Sequence, residues 1–287
     1  MNRTFKAGFA VVIFAVCVAG SVAAGPFEAA VAAYEKGVAA HEKGVAAYEK
    51  GVYATALRLL RPLAEQGQAS AQYNLGLMFD NGQGVPQDYA TAASWYSKAA
   101  EQGHAAAQNN LGLIFASGGE GVPQDYATAV SWYRKAAEQG HAAAQYNLGV
   151  MYALGQGVSQ DYAAAASWYR KAAEQGNAMA QYNLGVMYDD GQGVPQDNVA
   201  AASWLRKAAD QGNAEAQVEL GILYGMGQGV PRDYVSAHMW FDLAAAGGHK
   251  NAVKARDMAA AKLTPAQLAE AQKLAREWKP KSTPALP

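Results

Sequence analysis

Between Gln68 and Gly248 apolar and polar residues fall into two alternating helical patterns, broken at regular intervals by glycine. The unit Asn177–Gly212 shows both. Its first half starts near Ala178 and sets Gln181, Leu184, Gly185 and Tyr188 at i, i+3, i+4 and i+7, one face of a helix. Met179, Tyr182, Asn183, Val186 and Asp190 form a second stripe with the same spacing. The first stripe is the packing face. Gly185 within it costs about 1 kcal/mol of helix propensity relative to alanine, which predicts a neighbouring helix at close range. The helix exits through GQG, whose glycines can take the positive φ required there. Val194 should plug the loop onto the core, Pro195 stiffen it, and Asp197 cap the next helix by accepting from its first-turn amides. That second helix, through SWLRKAA, reads as apolar almost all round, as for a helix sandwiched between neighbours, and Gly212 closes it.

Nearly the same text fills 68–103, 104–140, 141–176 and 213–248. The glycine of each LG pair falls at Gly76, Gly112, Gly149, Gly185 and Gly221, a period of 36 with one step of 37. The capping aspartate recurs as Asp88, Asp125, Asp161 and Asp233. A helix pair repeating at this period predicts an all-α fold, an α-solenoid of stacked antiparallel helix pairs. The composition agrees, being 51% hydrophobic and rich in alanine.

The segments AxAQYNLGVMY, GxGVPQDY and AxxWYxKAAEQG, repeated five times, resemble the Sel-one-like repeat family, a relative of the tetratricopeptide repeat. The resemblance covers about Gln68 to Gly248 closely and implies a right-handed superhelix that binds other macromolecules, with catalysis not its usual role. Three departures stand out. The loop gains a residue at Gly118-Gly119-Glu120, Ser159 replaces the loop proline, and Leu205 replaces the tyrosine of WY.

Outside the repeats the chain changes character. Residues 1–24 read as a secretory signal peptide, with Arg3 and Lys6 at the basic end, Ala7 to Ala19 as the apolar centre, and small residues before the cleavage site. This predicts a bacterial periplasmic or secreted protein with no membrane span after cleavage. Val16 before Cys17 argues against a lipoprotein signal. Cleavage removes the one cysteine, so no disulfide can form, unlike in the family's cysteine-rich branch. It also removes two basic residues, taking the formal charge from −1 to −3 and leaving no basic tract for nucleic acid. In the N-terminal segment 25–67 the heptad VAAYEKG/VAAHEKG sets Val31, Val38 and Val45 at one seam position and Tyr34, His41 and Tyr48 at the other. That pattern suits a partner-docking coiled coil. Gly37, Gly44 and Gly51 weaken such a helix by about 1 kcal/mol each, which favours a first solenoid helix lengthened by tandem duplication. Residues 249–278 read as capping helices, the last opened by the capping box Thr264-Pro265-Ala266-Gln267, and 279–287 as a disordered tail.

Candidate chemistry is sparse. His104 and His141 take the place that Asn177 and Asn213 fill in other units, which suits a helix start better than a metal ligand. The glycine loops lack the Lys-Ser/Thr of a phosphate-binding loop. Ser94, Ser131, Ser167 and Ser203 have no nucleophile elbow around them. Trp95, Trp132, Trp168, Trp204 and Trp240 suit inter-repeat packing better than a sugar-stacking ladder. No catalytic residue, metal or cofactor is assigned. The second stripe remains. It places Asn74, Asn110, Asn147 and Asn183 at equivalent positions, beside Tyr73, Tyr146 and Tyr182. By the tetratricopeptide resemblance this face lines the concave groove, where an amide's donor and acceptor suit an extended peptide. The competing reading is that asparagine is simply the exposed residue of the repeat, copied with it. The function expected is a non-enzymatic scaffold of the cell envelope that binds a protein or peptide. A cell-wall or β-lactam hydrolase and a glycan-binding module are the alternatives.

Overall fold

The structure, a computed structural model, describes residues 24–281, with side chains described from Val31 onward. The signal-peptide reading lies outside the described residues except for Ala24, as does the tail after Lys281. The described residues form fourteen α-helices and one isolated β-bridge, with no strand among them. By contacts the chain divides into two compact units, Met1–Gln87 and Asp88–Pro287.

The first unit holds α1 (Ala24–Glu49), α2 (Tyr53–Glu65) and α3 (Ala69–Asn81), each packed on the next. Gly44 was expected only to weaken α1. Instead a Cβ there would lie 2.8 Å from the Leu60 side chain, so α1 and α2 approach closely at that point. Leu60 is fully buried and stands in α2 where the later second helices carry Tyr96, Tyr133 or Tyr169. The α1–α2 hairpin therefore packs like a repeat. Gly37, one heptad earlier, has nothing within 4 Å, and Gly51, one heptad later, takes φ +72° as α1 ends.

The second unit runs α4 (Tyr89–Glu101), α5 (Ala105–Ser117), α6 (Tyr126–Glu138), α7 (Ala142–Leu154), α8 (Tyr162–Glu174), α9 (Ala178–Asp190), α10 (Asn198–Asp210), α11 (Ala214–Met226), α12 (Tyr234–Ala246), α13 (Ala252–Ala260) and α14 (Pro265–Glu277). Successive helices from α4 to α13 pack together, and α14 folds back onto α12. The pairs are antiparallel: Gln145 near the start of α7 meets Gln175, just past the end of α8. Their axes come close at the LG glycine. A Cβ on Gly149 would stand 2.7 Å from the Tyr169 ring, and one on Gly185 the same distance from Leu205 Cγ.

Each connection has a physical reason. Asp88, Asp125, Asp161, Asp197 and Asp233 all accept from first-turn amides, as the pattern predicts. The first loop glycine takes αL at Gly155, Gly191 and Gly227. The second has an added role. A Cβ on Gly157 or Gly193 would collide with the backbone carbonyl that opens the preceding repeat's second helix, at Tyr126 or Tyr162. The extra residue near Gly119 is absorbed in a tight bridge, Gly119 N to Val122 O at 2.9 Å and the reverse bond at 3.0 Å. Ser159 leaves the loop unchanged, since Asp161 N reaches Tyr152 O at 2.9 Å as Asp197 N reaches Tyr188 O.

Two expectations need correction. The second helices are not apolar all round. Ala127, Ser131, Arg134 and Glu138 line an exposed edge of α6, because only three sides of a helix in a stacked row meet neighbours. The stretch from Lys279, read as the start of a disordered tail, is held as far as Lys281. Its amide donates to Asp210 O and its ammonium pairs with the Asp210 carboxylate, both at 2.7 Å.

Candidate functional site

The packing stripe of each first helix carries a buried amide. Gln72, Gln108, Gln145, Gln181 and Gln217 are only 3–4% exposed. Each Nε2 donates to a carbonyl in the last turn of the helix before it, as Gln145 does to Ala137 O at 3.1 Å. The Oε1 of Gln108, Gln145 and Gln181 accepts from Gln139, Gln175 and Gln211, in each case at 2.7 Å. One glutamine thus ties three consecutive helices together. A buried amide is costly unless partnered, and in Gln108, Gln145 and Gln181 both ends are. This row was the residue set that sequence reasoning passed over. Its signal was available: a polar residue recurring in an otherwise apolar stripe, and a second glutamine recurring in EQG.

The second stripe is neither freely exposed nor simply packed. Asn74, Asn110, Asn147 and Asn183 are all half-buried, as are Tyr73, Tyr146 and Tyr182. Asn74 Nδ2 donates to Ser70 O at 2.8 Å within its own helix. Asn110 Nδ2 donates to the buried Tyr96 hydroxyl at 3.3 Å. Asn147 Nδ2 reaches across to Asn109 Oδ1 at 3.0 Å, and Asn109 Nδ2 donates to Asn110 Oδ1 at 3.2 Å. Asn109 is 5% exposed and stands where neighbouring repeats place tyrosine. Burial pushes the hydroxyl pKa of Tyr169 up to about 12, and a hydrogen bond from Asn183 partly opposes that rise, as it does at Tyr146. The rows of α5, α7 and α9 therefore lie side by side, joined by their own amides. Each asparagine keeps donor or acceptor capacity beyond these bonds.

Toward α11 the same stripe turns acidic. Burial raises the Glu219 pKa, reinforced by Asp189 and Asp190, and burial likewise raises that of Asp189. Tyr182 sits between these carboxylates, and its hydroxyl pKa is raised by burial and then by Glu219, Glu215 and Asp190.

The other candidates take structural places. His104 Nδ1 and His141 Nδ1 accept from Ala107 N and Ala144 N at 3.2 Å, capping α5 and α7 as Asn177 and Asn213 cap α9 and α11. Burial lowers both imidazole pKa values. Among the described residues no group of three or more His, Cys, Asp or Glu could hold a metal ion. Trp168 and Trp204 pack on the clusters that join the preceding repeat's second helix to the first helix of their own repeat. The ammoniums of Lys98, Lys135, Lys171 and Lys207 stand 3.8–4.0 Å from the centroids of Trp95, Trp132, Trp168 and Trp204, on faces that a sugar would need.

The Sel1 repeat model matches 69–104, 105–141, 142–177, 178–213 and 214–249. Among solved structures, a protective antigen of uropathogenic Escherichia coli displaying an SLR fold is similar at 40% identity and a TM-score of 0.74. The match covers 79% of this chain but only 48% of that one, so this chain spans about half that antigen's length. A Sel1 repeat protein from Oxalobacter formigenes is similar at 38% identity and a TM-score of 0.69, over 75% of this chain and 88% of that one. A comparison with curated proteins gives no match.

Proposed function

Since this chain belongs to the Sel1 repeat family, we propose that it is a non-enzymatic scaffold of the bacterial cell envelope that binds a protein or peptide along the second stripe of its first helices. Sel1 repeats generally mediate protein–protein interaction. One observation carries the site: the packing stripe of each first helix is consumed by its neighbours, whereas the Asn–Tyr stripe reaches solvent and runs across consecutive repeats. Over α5, α7 and α9 an extended chain laid along it meets an amide or phenol at each repeat, then the carboxylates of Asp190, Glu215 and Glu219. The envelope location rests on the basic, apolar and small-residue pattern of residues 1–24. No helix among the described residues is long and apolar enough to cross a membrane.

Site-specific photocrosslinking in intact cells tests this reading. A photoreactive phenylalanine at Tyr182 should give a discrete crosslinked protein, and the same group at Ser131, on the exposed edge of α6, should not. Equal labelling from both faces, or none from Tyr182, would sink it.

A further inference from the structure

Helices α11, α12 and α13 meet around an open cavity of about 250 Å³. An apolar cavity of ~150 Å³ is already large enough to take benzene. Ile222 and Met226 line it from α11, Tyr234 and Phe241 from α12, and Met258 from α13. The space has a cause in the sequence. Thirty-six residues earlier, Ala259 corresponds to Leu223, and in the preceding repeats to Met187, Met151, Ile114 and Met78, all buried in their cores. Alanine there withholds the side chain that closes the other repeats. Gly225 withholds another: a Cβ built on it would meet only Ala237 Cβ, at 3.9 Å. Both methionines at the mouth are exposed apolar walls on unbranched, adaptable side chains, Met226 being 57% and Met258 65% exposed. Lys262 is the one charged residue lining the cavity, and no carboxylate lines it.

We infer that this cavity binds a small anionic amphiphile, a medium-length aliphatic carboxylate whose chain fills the apolar space while its head meets the Lys262 ammonium. The walls offer a polar ligand almost nothing, so the chain must be apolar. The uncompensated cation at the rim selects an anionic head over a neutral one. Ile222 and Met226 are the α11 positions of the second stripe that hold Val186 and Asp190 in α9, so the cavity lies at the far end of that stripe, past its Asn and Tyr positions, and its ligand need not be the scaffold's protein partner.

Decanoate and decan-1-ol serve as probes, titrated into the full chain carrying ¹³C-methyl methionine. Decanoate should shift the Met226 and Met258 methyl signals saturably and leave Met78 and Met151 in place. Decan-1-ol should bind roughly fivefold more weakly, the scale of one partly exposed charge contact. Lys262→Gln should erase that preference. Ala259→Leu should abolish binding by restoring the missing side chain, and Gly225→Leu should do the same from another helix. Whichever filled variant keeps the wild-type circular dichroism serves as the control. The inference falls if decanoate shifts no methyl, if the shifts are not confined to the cavity, or if binding survives in the folded filled variant. It falls equally if Lys262→Gln leaves the preference for decanoate intact. If acetyl-leucine amide saturates the site and decanoate does not, the cavity is a seat for a protein side chain, and the inference is overturned.

Discussion

At the scale of single residues, identical letters carry different loads. Gly37, Gly44 and Gly51 close three copies of nearly one heptad, yet only Gly44 faces a neighbour at 2.8 Å and only Gly51 has positive φ. Gly37→Ala should raise stability by up to ~1 kcal/mol, because alanine is the better helix former and meets nothing. Gly51→Ala should cost about 1–2 kcal/mol from its left-handed backbone. Urea titration of the three alanine variants would expose a common effect if the assignment were wrong. Gly149→Val is the sharper case. Its branched side chain would overlap the Tyr169 ring, so a loss of about 2–3 kcal/mol is expected. His104 and His141 add a pH dependence. Their folded pKa values lie below 6.5, so the unfolded chain takes up protons first as the solution is acidified. Their contribution is whole above pH 6.5 and is lost as pH falls from there through the folded pKa. Replacing both with asparagine, which caps α9 and α11 in this same chain, should flatten that part of the profile. His41 and His238, also lowered by burial, would keep their own share. The difference between variant and wild type across pH 5 to 7 isolates the two caps, and parallel profiles would refute their role.

At the scale of elements, the glutamine row explains how helices of modest apolar content hold their register. Alanine supplies much of the buried surface, so shape alone discriminates weakly between neighbouring registers. Directional bonds from Gln145 to Ala137 O and from Gln175 to Gln145 fix which turn meets which. Gln145→Leu should cost about 2–3 kcal/mol, since it strands a buried carbonyl and a second amide together. An unchanged denaturation midpoint would show that water replaces both bonds. The Asn stripe is now open to a mixed outcome. Asn147→Ala removes the partner of buried Asn109, so it should lower stability by about 1 kcal/mol even if it also weakens ligand binding. Affinity and stability must therefore be measured on the same sample.

At the scale of the whole molecule, the chain ends its repeats by changing a few partners. Gly247 stands where earlier repeats place the EQG glutamine, so the bridge onto Gln217 is not continued. Leu243 replaces the lysine that covers each earlier tryptophan, and Trp278 packs against Trp240 edge-on, 6.4 Å between centroids. The segment beyond α14 thereby seals the last repeats, with Lys281 fastened to Asp210. Trp278→Ala should lower the melting temperature of the full chain, on the scale of about 1–2 kcal/mol for a half-buried aromatic. No change would mean that this segment merely rests on the surface.

What the sequence by itself determined is whatever repeats locally. Helix number, the Asp and His/Asn caps, the loop glycines and the LG close approach follow from spacing and backbone stereochemistry, and these act within a few residues. Five registered copies made that pattern unmistakable. The partners of polar side chains across repeats were decided only by tertiary structure. A glutamine in an apolar stripe can be read as tolerated, but only the stacked helices bring its two ends to Ala137 O and Gln175. Asn109 likewise becomes a bridge only because its missing phenol lets Asn147 reach across. The cavity beside Lys262 is of the same kind. It arises from two small residues on different helices, and their distance along the chain says nothing of the space between them until the helices pack.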